Sequence, residues 1–211
     1  MAKSGRDDST RERLLRVAGE TFAQKGFRAT TVRSICERAR ANVAAVSYHF
    51  GGKGELYRQV LDSIFVYAMG KYPPDLGQDE ARTSDERLFA FIRSFLLRML
   101  DPEKPTWHRK LIAREMAEPS PAMRRAIGKG IRKGRHLLQQ ILTEALGPKA
   151  GGERVDLCIA SIVGQCFFYH RGDLAPNPGG PPIEPTPAGV DKLARHITDF
   201  SLGGIERRRR K

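Results

Sequence analysis

Helix-start and helix-stop signals divide this chain into segments whose apolar residues recur every three or four positions, and that pattern confines it to an all-α fold. Ser9-Thr10-Arg11-Glu12 has the spacing of a capping box, and Leu14, Ala18 and Phe22 behind it mark one helix face that Gly26 ends. A second short helix is predicted from Thr30-Thr31, turning Val32 and Ile35 inward. A third is predicted from Asn42, a good N-cap, through Val46 to His49. Gly51-Gly52 separates it from a helix that runs from Lys53 through Leu56, Val60, Ile64 and Tyr67 until Pro73-Pro74 stops it. Further helices are predicted from Ser84 through Met99, from Thr106 to Glu118, and from Ser120-Pro121 to Leu146. Two more run from Val155 to Tyr169 and from Thr186-Pro187 to Leu202. Residues 172–188 hold six prolines and read as an irregular loop. No segment alternates with period two, so no sheet is expected.

Charge separates function classes. The 211 residues carry a formal net charge of +13, which points to an anionic partner. Residues 1–58 hold 12 basic and 6 acidic side chains, and residues 207–211 are all basic. Residues 124–135 add six basic and no acidic side chains, so the rest of the body is acidic on balance. A basic head on a near-neutral body results. The cluster at 124–135 spreads around its helix and reads as a solvated face; Gly128, Gly130 and Gly134 weaken that helix by about 1 kcal/mol each. No apolar run approaches the roughly 20 residues of a membrane span, and the N-terminus lacks the apolar core of a secretory signal. Three cysteines without a C-x-x-C pair argue against a disulfide framework or a thiolate zinc site, and the five histidines show no metal-ligand spacing. No nucleophile motif, phosphate-cradling loop or carboxylate pair points to an enzyme. The expectation is no catalytic residue, no metal and no cofactor.

Three short helices with a tight connection between the second and third suit a helix-turn-helix, whose third helix presents its N-terminal side chains to the major groove. The run Gly26-Phe27-Arg28-Ala29-Thr30-Thr31-Val32-Arg33-Ser34-Ile35, then Asn42 to Tyr48-His49-Phe50, then Lys53 and Glu55-Leu56-Tyr57, closely resembles the TetR family of bacterial transcriptional regulators. The resemblance implies a DNA-binding domain over residues 1–58, a larger helical ligand-binding and dimerisation domain over 59–205, and a basic tail over 206–211. It also implies phosphate contacts from Thr31, Tyr48, His49 and Lys53, whose hydroxyl, phenol, imidazole and ammonium are all suitable donors. Base readers would be Arg33, Val43, Ala44, Ala45 and Ser47, behind the cap Asn42. Val43, Ala44 and Ala45 offer only apolar contact, so shape readout is expected to carry more of the specificity. Lys3, Arg6 and Arg11 are candidates for an arm over the DNA backbone or minor groove, with a disordered tail the preferred reading for Lys3. One departure stands out: Arg40 occupies the turn position where the family usually has glycine. Either Arg40 adopts a left-handed conformation, at about 1 kcal/mol, or the turn differs.

Asp101-Pro102-Glu103-Lys104-Pro105, Trp107-His108-Arg109 and Leu111 to Met116, with Pro119 and Pro121, resemble the TetR subgroup with a CecR-like C-terminal domain over residues 84–205. That resemblance implies a regulator responsive to a small hydrophobic or drug-like effector. Candidate pocket residues are Met99, Trp107, Arg114, Glu115, Phe167 and His170; core packing is the preferred reading for Met99 and Phe167, and ion pairing is at least an equal one for Arg114 and Glu115. Ile159, Ile162, Val163 and Cys166 share a face of the helix from Val155, with the small residues Ala160, Ser161 and Gly164 beside it. With the last helix this matches the family's dimer-forming pair, an intramolecular core helix being the alternative. The expected function is a cytoplasmic, homodimeric repressor on a palindromic double-stranded DNA operator, released by its effector. The alternatives are a constitutive DNA-binding regulator and a binder of membrane surfaces or polyanions through the basic helix and tail.

Overall fold

The computed structural model describes residues 2–76, 83–148, 150–170 and 186–209; the side chains of residues 2–8, 127, 129–131, 170 and 208–209 lie outside the description. Among the described residues the secondary structure is helical throughout: α1 (Ala2–Ala29), α2 (Val32–Ala39), α3 (Val43–Phe50), α4 (Lys53–Lys71), α5 (Ser84–Leu100), α6 (Thr106–Ala117), α7 (Pro121–Leu146), α8 (Gly152–His170) and α9 (Pro187–Arg209).

Most boundaries follow the local signals. Thr31 caps α2, accepting from Ser34 N at 3.1 Å, and Asn42 Oδ1 caps α3 through Ala44 N at 2.9 Å. Ser120 Oγ accepts from Met123 N ahead of Pro121, the first residue of α7. Gly26 breaks α1 with φ 79°, a left-handed value. Two expectations fail, at the start of α1 and at the C-terminal tail. Helix α1 begins at Ala2, so Ser9 lies inside it rather than at its cap. Helix α5 begins at Ser84 as predicted, and Thr83 caps it, forming a capping box with Glu86 that satisfies two first-turn donors at once. Helix α9 passes through Gly203-Gly204 and carries the backbone of Arg207 to Arg209, so the expected tail begins as helix. Helix α7 is continuous through its three glycines, and its Arg124, Arg125, Arg132, Lys133 and Arg135 are exposed.

The chain forms two compact units. The first comprises residues 1–67 and 104–129, and the second residues 68–103 and 130–211, so the expected division after residue 58 falls within the continuous helix α4. In the first unit Leu14, Ala18 and Phe22 of α1 meet Ile35, Val46 and Phe50 of α2 and α3, Leu56 and Leu61 of α4, and Leu111 of α6, all nearly fully buried. The three-helix head therefore shares one core with α4, α6 and the start of α7. In the second unit Leu88, Ile92 and Leu96 of α5 pack with Leu138 and Leu142 of α7, Ile159 and Ile162 of α8, and Ala194 and Ile197 of α9. Lys71, at the end of α4, reaches Asp101 at 3.0 Å and Glu103 at 2.6 Å, tying that end to the turn after α5. Among the described residues no helix is long and apolar enough to cross a membrane.

Candidate nucleic-acid interface

The head folds so that none of its expected DNA contacts is buried. Helix α3 buries Val46 and Phe50 and leaves Val43, Ala44, Ser47 and Tyr48 exposed, with Ala45 and His49 half-buried. Tyr48 is 78% exposed, a state that burial energetics alone leaves unexplained for so large a ring. Its ring meets His49 edge to face at 4.9 Å. Thr31 and Asn42 use their oxygens as helix-cap acceptors, and both are exposed, so the hydroxyl and the amide keep donors for a further acceptor. The Arg33 guanidinium lies 2.9 Å from Glu37 in an exposed i,i+4 pair, worth only about 0.3–0.5 kcal/mol and so easily exchanged for another acceptor. Lys53 opens α4; its ammonium sits 4.5 Å from the Phe27 ring centroid and donates to Arg28 O at 3.4 Å, which steers it along the end of α1.

The turn is settled by Arg40. It is left-handed, with φ 50° and ψ 50°, and its N–H turns back to Cys36 O and Glu37 O as a helix C-cap. The turn thus keeps the geometry that glycine would supply, and arginine bears the steric cost. Arg13 braces it from α1, donating through Nε to Ala39 O at 2.8 Å. Arg38 spans to α1, reaching Thr21 Oγ1 at 2.8 Å and Glu20 at 3.4 Å. Sequence spacing carries no sign of these braces, because their partners lie 17 to 26 residues away.

The six pocket candidates divide between the units. In the first, the Trp107 ring lies so close to Gly19 that a Cβ there would come within 2.4 Å of it. Arg114 is exposed, with its guanidinium against Gly26. Glu115 is buried; its carboxylate accepts from the Tyr57 hydroxyl and from Ser120 N at 2.8 Å. Burial, and then Glu115, hold the Tyr57 hydroxyl well above the usual phenol range. In the second unit, Met99 is half-buried and Phe167 is partly exposed, edge to face with Phe95 at 5.4 Å. The His170 side chain lies outside the described residues. Two polar residues escaped sequence reasoning: buried His108, whose Nδ1 has no hydrogen-bond partner among the described residues, and Tyr57.

The α8 stripe points elsewhere than expected. Ile159, Ile162 and Cys166 belong to the core of their own unit. The outward face of α8 carries Leu157, Ala160, Ser161, Gly164 and Phe168, and α9 presents Phe200 at 68% exposure. Leu157, Ser161, Phe200 and Gly204 line one shallow groove. Cys36 and Cys166 are buried and Cys158 half-buried; all three are free thiols.

Comparison with known proteins agrees with this architecture. Residues 14–60 match the family described as bacterial regulatory proteins, tetR family, and residues 84–205 match the C-terminal domain of the HTH-type transcriptional dual regulator CecR. The chain is 30% identical over 176 residues to the HTH-type transcriptional repressor NicS of Pseudomonas putida, covering 77% of this chain and 76% of that protein. It is 26% identical to the probable HTH-type transcriptional regulator YttP of Bacillus subtilis over 64% of each chain. The crystal structure of a putative transcriptional regulator from Pseudomonas aeruginosa PAO1 superposes with a TM-score of 0.71 at 20% identity, over 94% of this chain and 92% of that one, and so shares the fold. An exposed α3 face on a helix-turn-helix, the match over 84–205 and the NicS likeness converge: this chain belongs to the tetR family of bacterial regulatory proteins, with a C-terminal domain of the CecR type.

Proposed function

We propose that the protein is a homodimeric transcriptional repressor that binds a palindromic operator in the cytoplasm and leaves it when a small hydrophobic or drug-like effector binds. The observation that carries the reading is the α3 face, where Val43, Ala44, Ser47 and Tyr48 stand in solvent above a core sealed by Val46 and Phe50. Thr31, Tyr48, His49 and Lys53 hold the phosphates, and Arg33 reaches a guanine through its two-pronged donor geometry. Two such helices, about 34–36 Å apart in a two-fold dimer, read successive major grooves. Selection of bound genomic fragments tests the reading; a purified chain with no preference for any fragment overturns it. On a selected operator, Tyr48→Ala is expected to weaken binding about tenfold, as the loss of one phosphate hydrogen bond implies, with unchanged melting because the ring is exposed. Anisotropy titration and calorimetry read the two effects separately.

The second copy is assigned to the α8–α9 face. Apolar Leu157, Phe168 and Phe200 around the small residues Ser161, Gly164 and Gly204 allow close helix approach and supply apolar area for association. Phe200→Glu is expected to weaken self-association at least tenfold without unfolding the chain, as read by sedimentation velocity; a dimer unaffected by the change removes α9 from the interface. The effector is assigned to the second unit, where Met99 and Phe167 lie, because Trp107 and Glu115 are engaged with α1 and α4 in the first. Repeating the fragment selection with candidate ligands reads release; binding that no ligand alters points to a constitutive regulator.

A further inference from the structure

Four arginines gather beside the turn that leads into α3. Arg13 and Arg16 of α1 and Arg38 and Arg40 at the end of α2 line one open cleft with Val17 and Ala39. Their negative counterpart is small. Glu20 takes both Arg16, at 2.8 Å, and Arg38, at 3.4 Å, while Glu37 is engaged by Arg33. Among the described residues no carboxylate lies within ion-pair distance of Arg13 or Arg40. Arg13 spends its Nε on Ala39 O and one terminal nitrogen on Thr10 at 3.5 Å. Arg40 stands exposed in the left-handed region, where a side chain is sterically disfavoured and strain needs an account. A cluster of cations with few counter-charges favours a polyanion, and arginine forks favour phosphate oxygens.

Placement decides which polyanion. Arg40 precedes Asn42, the cap of α3, by two residues, and the N-terminal end of a recognition helix faces base edges. Residues immediately before that end border the strand beside the groove. The face of α3 itself is poor in base donors, since Val43, Ala44 and Ala45 have none, so phosphate contacts must carry much of the affinity. We infer that the Arg13–Arg16–Arg38–Arg40 cleft is a second phosphate-binding surface, which takes the backbone of duplex DNA flanking the half-site read by α3. The inference rests on the DNA-binding reading above and extends it beyond the contacts assigned to Thr31, Tyr48, His49 and Lys53.

The test uses the full chain and two duplexes with the same selected operator, one minimal and one extended by about ten base pairs on each side, roughly a helical turn. Arg40→Gly is the informative variant, because it removes the charge and relieves the backbone. Its melting temperature is expected to rise by about 2 °C. On the extended duplex its affinity should fall about tenfold, and the slope of log affinity against log salt should shrink by about one for each protomer's lost contact. On the minimal duplex both quantities should match the unaltered chain. Arg40→Lys should keep the slope, and Arg16→Gln should reduce it as Arg40→Gly does. Unchanged affinity and slope on the extended duplex overturn the inference, as does an equal loss on both duplexes, which would move the contact into the half-site. Loss of binding to a poly-glutamate probe with DNA binding intact also overturns it, in favour of an acidic protein partner. An unaltered chain that binds all sequences alike defeats the operator reading instead, and the Arg40→Gly slope on any long duplex still reads the cleft.

Discussion

Glu115→Ala is expected to destabilise the folded chain by about 3 kcal/mol, measured by urea unfolding at pH 7. The carboxylate is 4% exposed and holds two donors that have no other role, the Tyr57 hydroxyl on α4 and Ser120 N at the entry to α7. Truncation strands the buried Tyr57 hydroxyl, takes the acceptor from the half-buried Ser120 N–H, and opens a void one helical turn from Leu111 and Ile112, so the penalties add. Glu115→Gln keeps the volume and one acceptor oxygen, and should cost about 1 kcal/mol. Tyr57→Phe removes a donor and strands one carboxylate oxygen, at about 2 kcal/mol. In a double-mutant cycle Glu115→Ala and Tyr57→Phe should couple by at least 1 kcal/mol, since each removes the same bond. Additive losses would mean that the two side chains do not share a hydrogen bond. The consequence reaches function: Tyr57 also packs on Phe22 at 4.7 Å and Phe27 at 4.9 Å, next to the end of α1 along which Lys53 is steered. Loosening Glu115 should therefore weaken DNA binding, although the residue is remote in sequence from the expected contacts.

That pair also marks where the sequence stops being legible. Helix class, the stops at Gly26 and Pro73, and the caps Thr31, Asn42 and Ser120 depend on residues within four positions of one another, and such signals survive in a linear reading. The candidate DNA face was legible for the same reason: α3 is eight residues long, and two buried anchors, Val46 and Phe50, fix which side faces outward. The TetR resemblance fixed the family as well. One start signal failed. Ser9 has a cap's chemistry but lies inside α1, which begins at Ala2, whereas the start of α5 at Ser84 was legible, with Thr83 and Glu86 forming the capping box ahead of it. The pocket candidates belong to two units, and the unit that a residue joins is not written in spacing. Trp107 and Glu115 follow α6 into the first unit, while Met99 and Phe167 stay with α5 and α8 in the second. The stripe of Ile159, Ile162 and Cys166 was read by composition, and apolar residues suit an intramolecular core and a dimer face alike; only the position of α5 and α9 distinguishes them.

His108 should make stability depend on pH between about 6.5 and 4, with the chain losing on the order of 2–3 kcal/mol across that window from this one residue. The ring is 6% exposed, edge to face with Trp107 at 4.0 Å and Tyr67 at 5.6 Å, and its Nδ1 has no partner among the described residues. Burial first, and then the positive charge of Lys104, pull its pKa down to about 4. The folded chain therefore keeps His108 neutral where an unfolded histidine, with its pKa near 6.5, already binds a proton. The unfolded state binds more protons throughout the interval, so stability falls as the pH drops from about 6.5 and levels off below about 4. Many carboxylates titrate in the same range, so the measurement has to be a difference. His108→Phe retains a flat ring and removes both the titration and the orphan nitrogen. Its stability advantage over the unaltered chain should be about 1 kcal/mol at pH 7.5, set by the unsatisfied Nδ1, and should widen by at least 2 kcal/mol at pH 4.5. Urea midpoints across the series give the curve, and a gap that stays constant from pH 7.5 to 4.5 would show that His108 is protonated as readily in the folded chain as in the unfolded one.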